Sequence, residues 1–195
     1  MTQTLADPAS QAAPERVVLH VGCGPYSPDK LHRKFHEPGW REVRLDIDPD
    51  VKPDIVGSTT DMRAVATASV DAVWSSHNVE HLYAHEVPVA LAEFHRVLKP
   101  GGFALITLPD LQKVAELVAA DKLEEPAYIS PAGPIAPLDT LYGLRAAIAR
   151  GNLFMAHRTG FTATTLEGAL RRAGFATVRT QRLGFDLWAY AERAN

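Results

Sequence analysis

A short apolar strand that ends in two glycines constrains this sequence more than any other feature. Residues 16–21, Arg-Val-Val-Leu-His-Val, form a β-branched run, and Gly22-Cys-Gly-Pro25 follows directly. Such a run predicts a buried strand, and the glycines predict a tight turn at its carboxyl end. Glycines there let a ligand approach the backbone where a side chain would block it. The segment therefore predicts an α/β domain with a ligand crevice beyond its first strand.

Similar apolar runs alternate with helical patterns through the rest of the sequence. Further strands are predicted at 42–47, 55–56, 71–76 and 103–108, and helices at 28–36, 90–98, 111–118 and 166–173. Thr164 and Glu167 have the spacing of a capping box at the start of the last helix. This alternation predicts a mainly parallel sheet with helices on both faces. A final pair of runs, 176–183 and 186–191, predicts a hairpin that adds one antiparallel strand near the sheet edge.

Composition limits the classes of protein to which the chain can belong. Its 195 residues suit a single domain, with 46% hydrophobic and 22% charged residues as in ordinary globular proteins. The net charge is −3 and no run of Lys or Arg forms a basic stripe, so we expect no nucleic-acid binding. The single cysteine, Cys23, excludes an internal disulfide and fits a reducing cytoplasm.

The first fifteen residues are expected to form a disordered tail. They lack apolar periodicity and are rich in Ala, Gln, Ser, Thr and Pro. They also lack the basic start and apolar centre of a signal peptide. No apolar stretch reaches the length that spans a bilayer. We therefore expect a cytoplasmic protein without membrane contacts, whose domain occupies 16–195.

An acidic residue follows the second predicted strand at a spacing typical of ribose-binding sites. Asp46 lies 22 residues after Gly24, and a carboxylate there can accept hydrogen bonds from both hydroxyls of a ribose. A turn carboxylate is the alternative, which we favour for Asp48 because Pro49 follows it. A dinucleotide would also need a third glycine for its pyrophosphate, where this sequence has Ser27. The pattern therefore favours a nucleoside without phosphates, such as S-adenosylmethionine, over NAD.

Five segments in this order make the sequence resemble a known family. It is similar to the class I S-adenosylmethionine-dependent methyltransferases, of the broad type-11 group. The segments that carry the resemblance are 18–25, 43–46, 57–62, 70–82 and 94–103. The last, Phe94-His-Arg-Val-Leu-Lys-Pro-Gly-Gly-Phe103, is the most specific of the five. The resemblance covers about 17–117 and resumes near His157.

This resemblance implies a fold, a cofactor and a set of binding residues. The fold is α/β, a Rossmann-like three-layer sandwich whose mostly parallel seven-stranded sheet has one antiparallel strand from the C-terminal hairpin. The cofactor is S-adenosyl-L-methionine, and its predicted binding residues are His20, Gly22, Cys23, Gly24, Asp46, Ile47, Asp61, Met62, Ser76 and His77. His20 departs from the family, which often has an acidic residue two positions before the first glycine. A neutral imidazole can accept a hydrogen bond from the methionine ammonium, but it supplies no full charge.

The implied reaction is transfer of the sulfonium methyl group to an oxygen, nitrogen or carbon of an unidentified small-molecule acceptor. Two histidines, His77 and His157, are candidates for the general base that an acceptor with a high pKa would need. Residues 77–81 also match the H-x-x-E-H pattern of some zinc proteases. We expect no metal, since His77 directly follows a predicted strand and no third ligand lies nearby in the sequence.

A segment at about 122–158 interrupts the path from the fifth strand to the closing hairpin. Its prolines predict a loop at 124–134, followed by a helix that ends at Gly151. A lid or substrate-binding element is one interpretation, and a packing or dimer contact is the other. The candidates to face an acceptor are Tyr128, Tyr142, Met155, His157 and Arg158.

Two other functions stay open at the level of the sequence. An NAD-dependent oxidoreductase or epimerase shares the glycine turn and the acidic residue, although Ser27 argues against it. A protein that binds S-adenosylmethionine without catalysis is the non-enzyme alternative, because His20 replaces the family's acid. In either case we expect a monomer or homodimer.

Overall fold

A seven-stranded sheet organises residues 15–195, the part of the chain that this computed structural model describes. The described strands are β1 (Arg16–Val21), β2 (Trp40–Asp46), β3 (Ile55–Val56), β4 (Val70–Ser76), β5 (Leu98–Pro109), β6 (Tyr128–Ser130), β7 (Gly133–Ile135), β8 (Thr177–Leu183) and β9 (Asp186–Glu192). The tail predicted at 1–15 lies outside the described residues, apart from Glu15.

The strand order in the main sheet is β3-β2-β1-β4-β5-β9-β8. The first five strands along the chain pair in parallel, whereas β9 runs antiparallel to both β5 and β8. The predicted fold, with one antiparallel strand next to the sheet edge, is therefore confirmed. The direction in which strands are added reverses between β1 and β4, and open α/β sheets bind ligands beyond the carboxyl ends at such a point.

Helices with apolar stripes cover one face of this sheet. The described α-helices are α1 (Val87–Val97), α2 (Leu111–Ala119), α3 (Pro137–Tyr142), α4 (Arg145–Ala149) and α5 (Ala163–Arg172). Phe94 of α1 and the leucines Leu166 and Leu170 of α5 are completely buried in the main core. Among the described helices, none combines the length and the apolar composition that crossing a bilayer requires.

Side-chain caps determine where two helices begin. The Asp110 carboxylate accepts hydrogen bonds from two backbone N–H groups of α2. The capping box of α5 lies two residues earlier than predicted, because Thr162 has extended backbone angles (φ −99°, ψ 167°). Thr162 therefore exchanges hydrogen bonds with Thr165. The prediction of a box formed by Thr164 and Glu167 was wrong.

Two short 3-10 turns, Pro28–Lys30 and Arg33–His36, lie on the other face of the sheet. The prediction of one helix here was wrong, because His32 between the turns is extended (φ −62°, ψ 138°). Its side chain accepts a hydrogen bond from a backbone N–H two residues later and so starts the second turn. Phe35 from this turn is buried in a small cluster with Trp74 of β4.

Residues 122–158 form a hairpin and two short helices instead of the predicted loop and single helix. β6 pairs with β7 in the stretch where the prolines predicted irregular structure. The helical pattern is divided at Gly143, whose φ is 95°. A Cβ at this position would lie 1.9 Å from the Met155 carbonyl oxygen. Glycine is therefore required here, and α3 and α4 stay separate.

Candidate active site

A cavity of about 910 Å³ opens at the carboxyl ends of β1, β2 and β4. Its other walls include the segment 29–36, the end of the insertion and the start of β9. The predicted cofactor residues that line it are His20, Gly22, Cys23, Gly24, Asp46, Ile47, Ser76 and His77. A second depression, of about 800 Å³ beside α1, is lined by none of these residues. We therefore place the candidate site in the first cavity.

Both glycines after β1 have left-handed backbone angles that favour glycine. The φ angle is 60° at Gly22 and 58° at Gly24. A Cβ at Gly22 would lie 2.2 Å from the side-chain nitrogen of Asn78, which also lines the cavity. The glycines are therefore needed for the shape of the turn and for its contact with the loop after β4.

The Asp46 carboxylate holds the glycine turn from the neighbouring strand. One oxygen accepts a hydrogen bond from Gly24 N–H at 2.7 Å, and the other from Asp48 N–H at 2.9 Å. A carboxylate offers about four acceptor positions, so both oxygens can accept a further bond from a ligand. The Asp48 side chain instead accepts from Asp50 N–H at 2.9 Å, the geometry of a turn carboxylate.

A partly buried pair, His20 and Glu42, lies where the family that the sequence resembles often has an acidic residue. His20 Nδ1 lies 2.6 Å from Glu42 Oε1, across the pairing of β1 and β2. His20 is 3% exposed and borders the cavity. Glu42 could not be recognised from the sequence, because only the register of the two strands brings it to His20. A carboxylate is thus present, but it belongs to Glu42 next to the His20 ring and not to residue 20 itself.

His77 lies between two carboxylates at the turn after β4. Its Nδ1 is 3.3 Å from Glu80 Oε1, and its Nε2 is 3.5 Å from Asp186 Oδ1. Burial alone would lower the pKa of His77, but the Glu80 and Asp186 carboxylates outweigh burial and raise the pKa. Asp186 belongs to β9, so the sheet topology brings it to this turn. The two carboxylates therefore stabilise positive charge on the His77 ring.

His157 does not line the cavity, unlike His77. Its Nδ1 is 2.7 Å from the backbone carbonyl oxygen of Thr140. Burial lowers the pKa of His157. The ring packs edge-on against His81, with centroids 4.9 Å apart. The structure therefore separates the two histidines that the sequence put forward as bases.

The two residues predicted to flank adenine lie away from the cavity. Asp61 forms an exposed ion pair with Arg63, at 2.6 Å. Met62 is 1% exposed and belongs to the core. A tight turn, closed by the pairing of Ser58 with Asp61, carries the chain away from the sheet edge. Residues 57–59, which precede this turn, line the cavity in their place.

The end of the insertion forms one wall of the cavity. The residues that contribute are Asn152, Phe154, Met155 and Arg158. Of the predicted acceptor contacts, Met155 and Arg158 are therefore in place. Tyr128 instead stacks on Phe185 with centroids 5.1 Å apart, and Tyr142 is 64% exposed outside the cavity.

Cys23 in the glycine turn has no feature of a nucleophile. Burial, the largest effect, raises the pKa of the Cys23 thiol to about 11. The thiol is therefore protonated at neutral pH, and thiols react as thiolates.

Comparisons with known proteins agree with this architecture. Residues 19–106 match a family whose description is "Methyltransferase domain". The chain is 30% identical over 182 residues to a malonyl-acyl-carrier-protein O-methyltransferase of Dechloromonas aromatica (strain RCB), over 87% of this chain and 66% of that relative. The chain thus spans slightly less than two thirds of that relative's length.

Solved structures share the fold at lower sequence identity. One is a Burkholderia thailandensis 1,6-didemethyltoxoflavin-N1-methyltransferase with bound 1,6-didemethyltoxoflavin and S-adenosylhomocysteine. The TM-score is 0.59 at 19% sequence identity, and the match covers 93% of this chain and 72% of that one. Another is a SAM-dependent methyltransferase from Archaeoglobus fulgidus. The TM-score is 0.59 at 16% sequence identity, and the match covers 91% of this chain and 86% of that one. The chain is therefore similar to methyltransferases in sequence over residues 19–106, and it shares the fold of S-adenosylmethionine-dependent methyltransferases over most of its length.

Proposed function

We propose that this chain transfers the methyl group of S-adenosylmethionine to a small-molecule acceptor. The observation that carries the proposal is the cavity in which the glycine turn meets the Asp46 carboxylate, beside the switch between β1 and β4. Ser27 stands where a dinucleotide site would have its third glycine, which favours a nucleoside without a pyrophosphate. The similarity to an O-methyltransferase supports the same activity.

The cofactor would lie across the carboxyl ends of β1 and β2. Asp46 would accept hydrogen bonds from the ribose hydroxyls, and the Gly22–Gly24 backbone would face the ligand. Ile47 is 51% exposed and would pack against the adenine. Ser58 and Thr59, rather than Asp61 and Met62, would supply polar contacts to the base, since they line the cavity.

His20 would contact the methionine end of the cofactor with the help of Glu42. The close Nδ1–Oε1 contact places the proton of a neutral His20 ring on Nδ1, where Glu42 accepts it. The Nε2 lone pair is then free to accept a hydrogen bond from the ammonium. The Glu42 carboxylate adds negative charge behind the ring and would strengthen that bond. The pair would thus replace the acid that the family often has.

The acceptor would occupy the part of the cavity between β9 and the insertion. Trp74 and Trp188 stack there, with centroids 5.9 Å apart and planes at 26°. Phe154 and Met155 from the insertion also line the cavity. The volume of about 910 Å³ has to hold cofactor and acceptor together. These features favour a small acceptor with an apolar body.

His77 would act as the general base in the transfer step. The acceptor atom attacks the methyl carbon, the bond from carbon to the sulfonium sulfur breaks, and the acceptor's proton passes to the imidazole. Glu80 and Asp186 would stabilise the imidazolium that forms. We assign this role to His77 alone because His157 does not line the cavity. Positioning of the sulfonium against the acceptor would supply most of the remaining acceleration.

We further propose that the insertion at 122–158 controls access of the acceptor. Its last residues line the cavity, whereas its hairpin projects outward with Ile129 73% exposed. Leu153 and Phe154 are 64% and 55% exposed, so apolar groups border the opening. A bound acceptor would cover these apolar side chains, and their contact with it would stabilise a closed position of the insertion.

A thermal-shift panel tests the proposed cofactor. The melting temperature is measured with S-adenosylmethionine, S-adenosylhomocysteine, NAD and NADP. S-adenosylhomocysteine at roughly a hundred times its dissociation constant is expected to stabilise the fold by about 2.7 kcal/mol. Neither dinucleotide should change the melting temperature. Stabilisation by NAD without stabilisation by S-adenosylhomocysteine would reject the proposal.

A further inference from the structure

Glu80 is a buried carboxylate whose capacity to accept hydrogen bonds is unused. The residue is 1% exposed, and within residues 15–195 neither carboxylate oxygen has a hydrogen-bond partner. His77 Nδ1 lies at ion-pair distance, 3.3 Å, without the alignment of a hydrogen bond. An ionised carboxylate is costly to bury unless it is paired and hydrogen-bonded or bound to a metal. One misaligned partner therefore leaves Glu80 incompletely satisfied.

Two histidines from distant parts of the chain surround this carboxylate. His81 follows it directly, and His157 lies at the end of the insertion; one donor atom of each of the three residues lies within 4.8 Å of the others. His81 Nδ1 is 3.1 Å from the carbonyl oxygen of Ala156, and His157 Nδ1 is 2.7 Å from that of Thr140. Each neutral ring therefore carries its proton on Nδ1 and has its lone pair on Nε2. Backbone carbonyls orient metal-binding histidines in the same way.

We propose that Glu80, His81 and His157 bind a divalent transition-metal ion, of which zinc fits best. Two imidazole nitrogens and one carboxylate oxygen form the donor set of several zinc sites and of non-haem iron(II) sites. Magnesium and calcium prefer sites built from oxygen ligands alone. A metal ion would also complete the contacts of Glu80, which otherwise has only the misaligned His77 as a partner.

These ligands differ from those that the H-x-x-E-H pattern suggests. That pattern uses both of its histidines as ligands, on one face of a helix. Here residues Val79–His81 form a 3-10 turn, and His77 lies before it beside Asp186. The third ligand is His157, which no local spacing in the sequence could indicate. The expectation of no metal rested on the lack of such a ligand.

The proposed metal would join the insertion to the turn after β4. The backbone N–H groups of Arg158 and Thr159 already donate to the Glu80 carbonyl oxygen, so the two segments are in contact. His81 also lines the cavity, so an ion bound to it would be within reach of the acceptor's part of the site. Three protein ligands leave a coordination position for water or acceptor.

The experiment measures zinc binding to the full chain after removal of any affinity tag. The protein is treated with a chelator, dialysed against zinc chloride, and analysed for metal content and for affinity in competition with a chelating dye. We expect one zinc per chain, with affinity more than about tenfold weaker in His81→Ala and in His157→Ala. His85→Ala is the matched control, because His85 is an exposed histidine on the same segment. Its zinc content and affinity should equal those of the unmodified chain.

Cobalt(II) provides a second readout that does not depend on enzyme activity. The unmodified chain should give visible absorption bands of low-coordinate cobalt, and Glu80→Gln should weaken or shift them. Circular dichroism checks that each variant is folded, and an unfolded alanine variant is replaced by the glutamine variant at the same position. Less than half an equivalent of zinc in the unmodified chain would overturn the proposal. Equal zinc affinity in the His81, His157 and His85 variants would overturn it as well.

Discussion

Asp46 has two roles, the proposed contact with the ribose and the support of the glycine turn. Replacement by alanine removes both, but the first is measured as cofactor affinity and the second as stability. The carboxylate accepts hydrogen bonds from Gly24 and Asp48 in a residue that is 8% exposed. Loss of the two carboxylate oxygens that accept these bonds should destabilise the fold by about 1–3 kcal/mol. The loss is limited because water in the cavity can bind the two backbone N–H groups instead. Hydrogen bonds between the ribose and a charged group contribute about 1.5–3 kcal/mol to binding. S-adenosylhomocysteine affinity should therefore fall about 10- to 150-fold.

Isothermal titration calorimetry well below the melting temperature measures the affinity, and thermal melts measure the stability separately. Asp48→Ala is the matched control, because its carboxylate accepts only one hydrogen bond, from Asp50, outside the glycine turn. Its affinity for S-adenosylhomocysteine should stay within about threefold of the unmodified chain, well under 1.4 kcal/mol. Equal losses in the two variants would refute the assignment of the ribose to Asp46. An unchanged affinity in Asp46→Ala would refute it too.

Four further predictions follow from the same geometry. Gly24→Val places a side chain on a residue with φ 58°, which costs about 1–2 kcal/mol of backbone strain. We expect circular dichroism to show a folded protein and binding assays to show no affinity for S-adenosylhomocysteine. An unfolded variant would mean that the glycine is purely structural. His77→Gln should slow methyl transfer by about 10²–10⁴-fold in a steady-state assay at saturating cofactor, and a normal rate would exclude His77 as the base. Because burial raises the pKa of Cys23 to about 11, iodoacetamide should alkylate it very slowly at pH 8 and about tenfold faster per pH unit up to pH 10. Mass spectrometry measures the alkylated fraction over time, and rapid alkylation at pH 8 would contradict this environment of the thiol. Cleavage within 124–137 by a protease should be fast in the free protein and slower with cofactor and an acceptor analogue bound, whereas equal resistance would indicate a rigid packing or dimer element.

Features set by neighbouring residues could be predicted from the sequence. The β-branched run before Gly22 identifies a buried strand, and the left-handed angles at Gly22 and Gly24 agree with the predicted turn. Asp46 follows its strand directly, so its position at the sheet edge also follows from local pattern. The closing hairpin was predictable because its two runs alternate and Gly184 separates them, whereas the order β5-β9-β8 is known only from the structure.

Features that depend on distant contacts could not be predicted in this way. The Glu42 carboxylate reaches His20 only through the register of two strands, and Asp186 reaches His77 because β9 lies between β5 and β8 in the sheet. His157 meets Glu80 because the insertion folds back over the turn after β4. The segment 28–36 has helical composition, but the extended residue between its two turns is fixed by packing on the sheet.

A crystal structure with S-adenosylhomocysteine tests the central claim most directly. The account predicts that the ribose hydroxyls lie within hydrogen-bond distance of the Asp46 carboxylate and that the homocysteine portion approaches the Gly22–Gly24 turn. The Asp46 bonds to the backbone of that turn should persist, because the carboxylate has acceptor positions to spare. Ligand bound elsewhere, or a ribose that does not contact Asp46, would contradict the account.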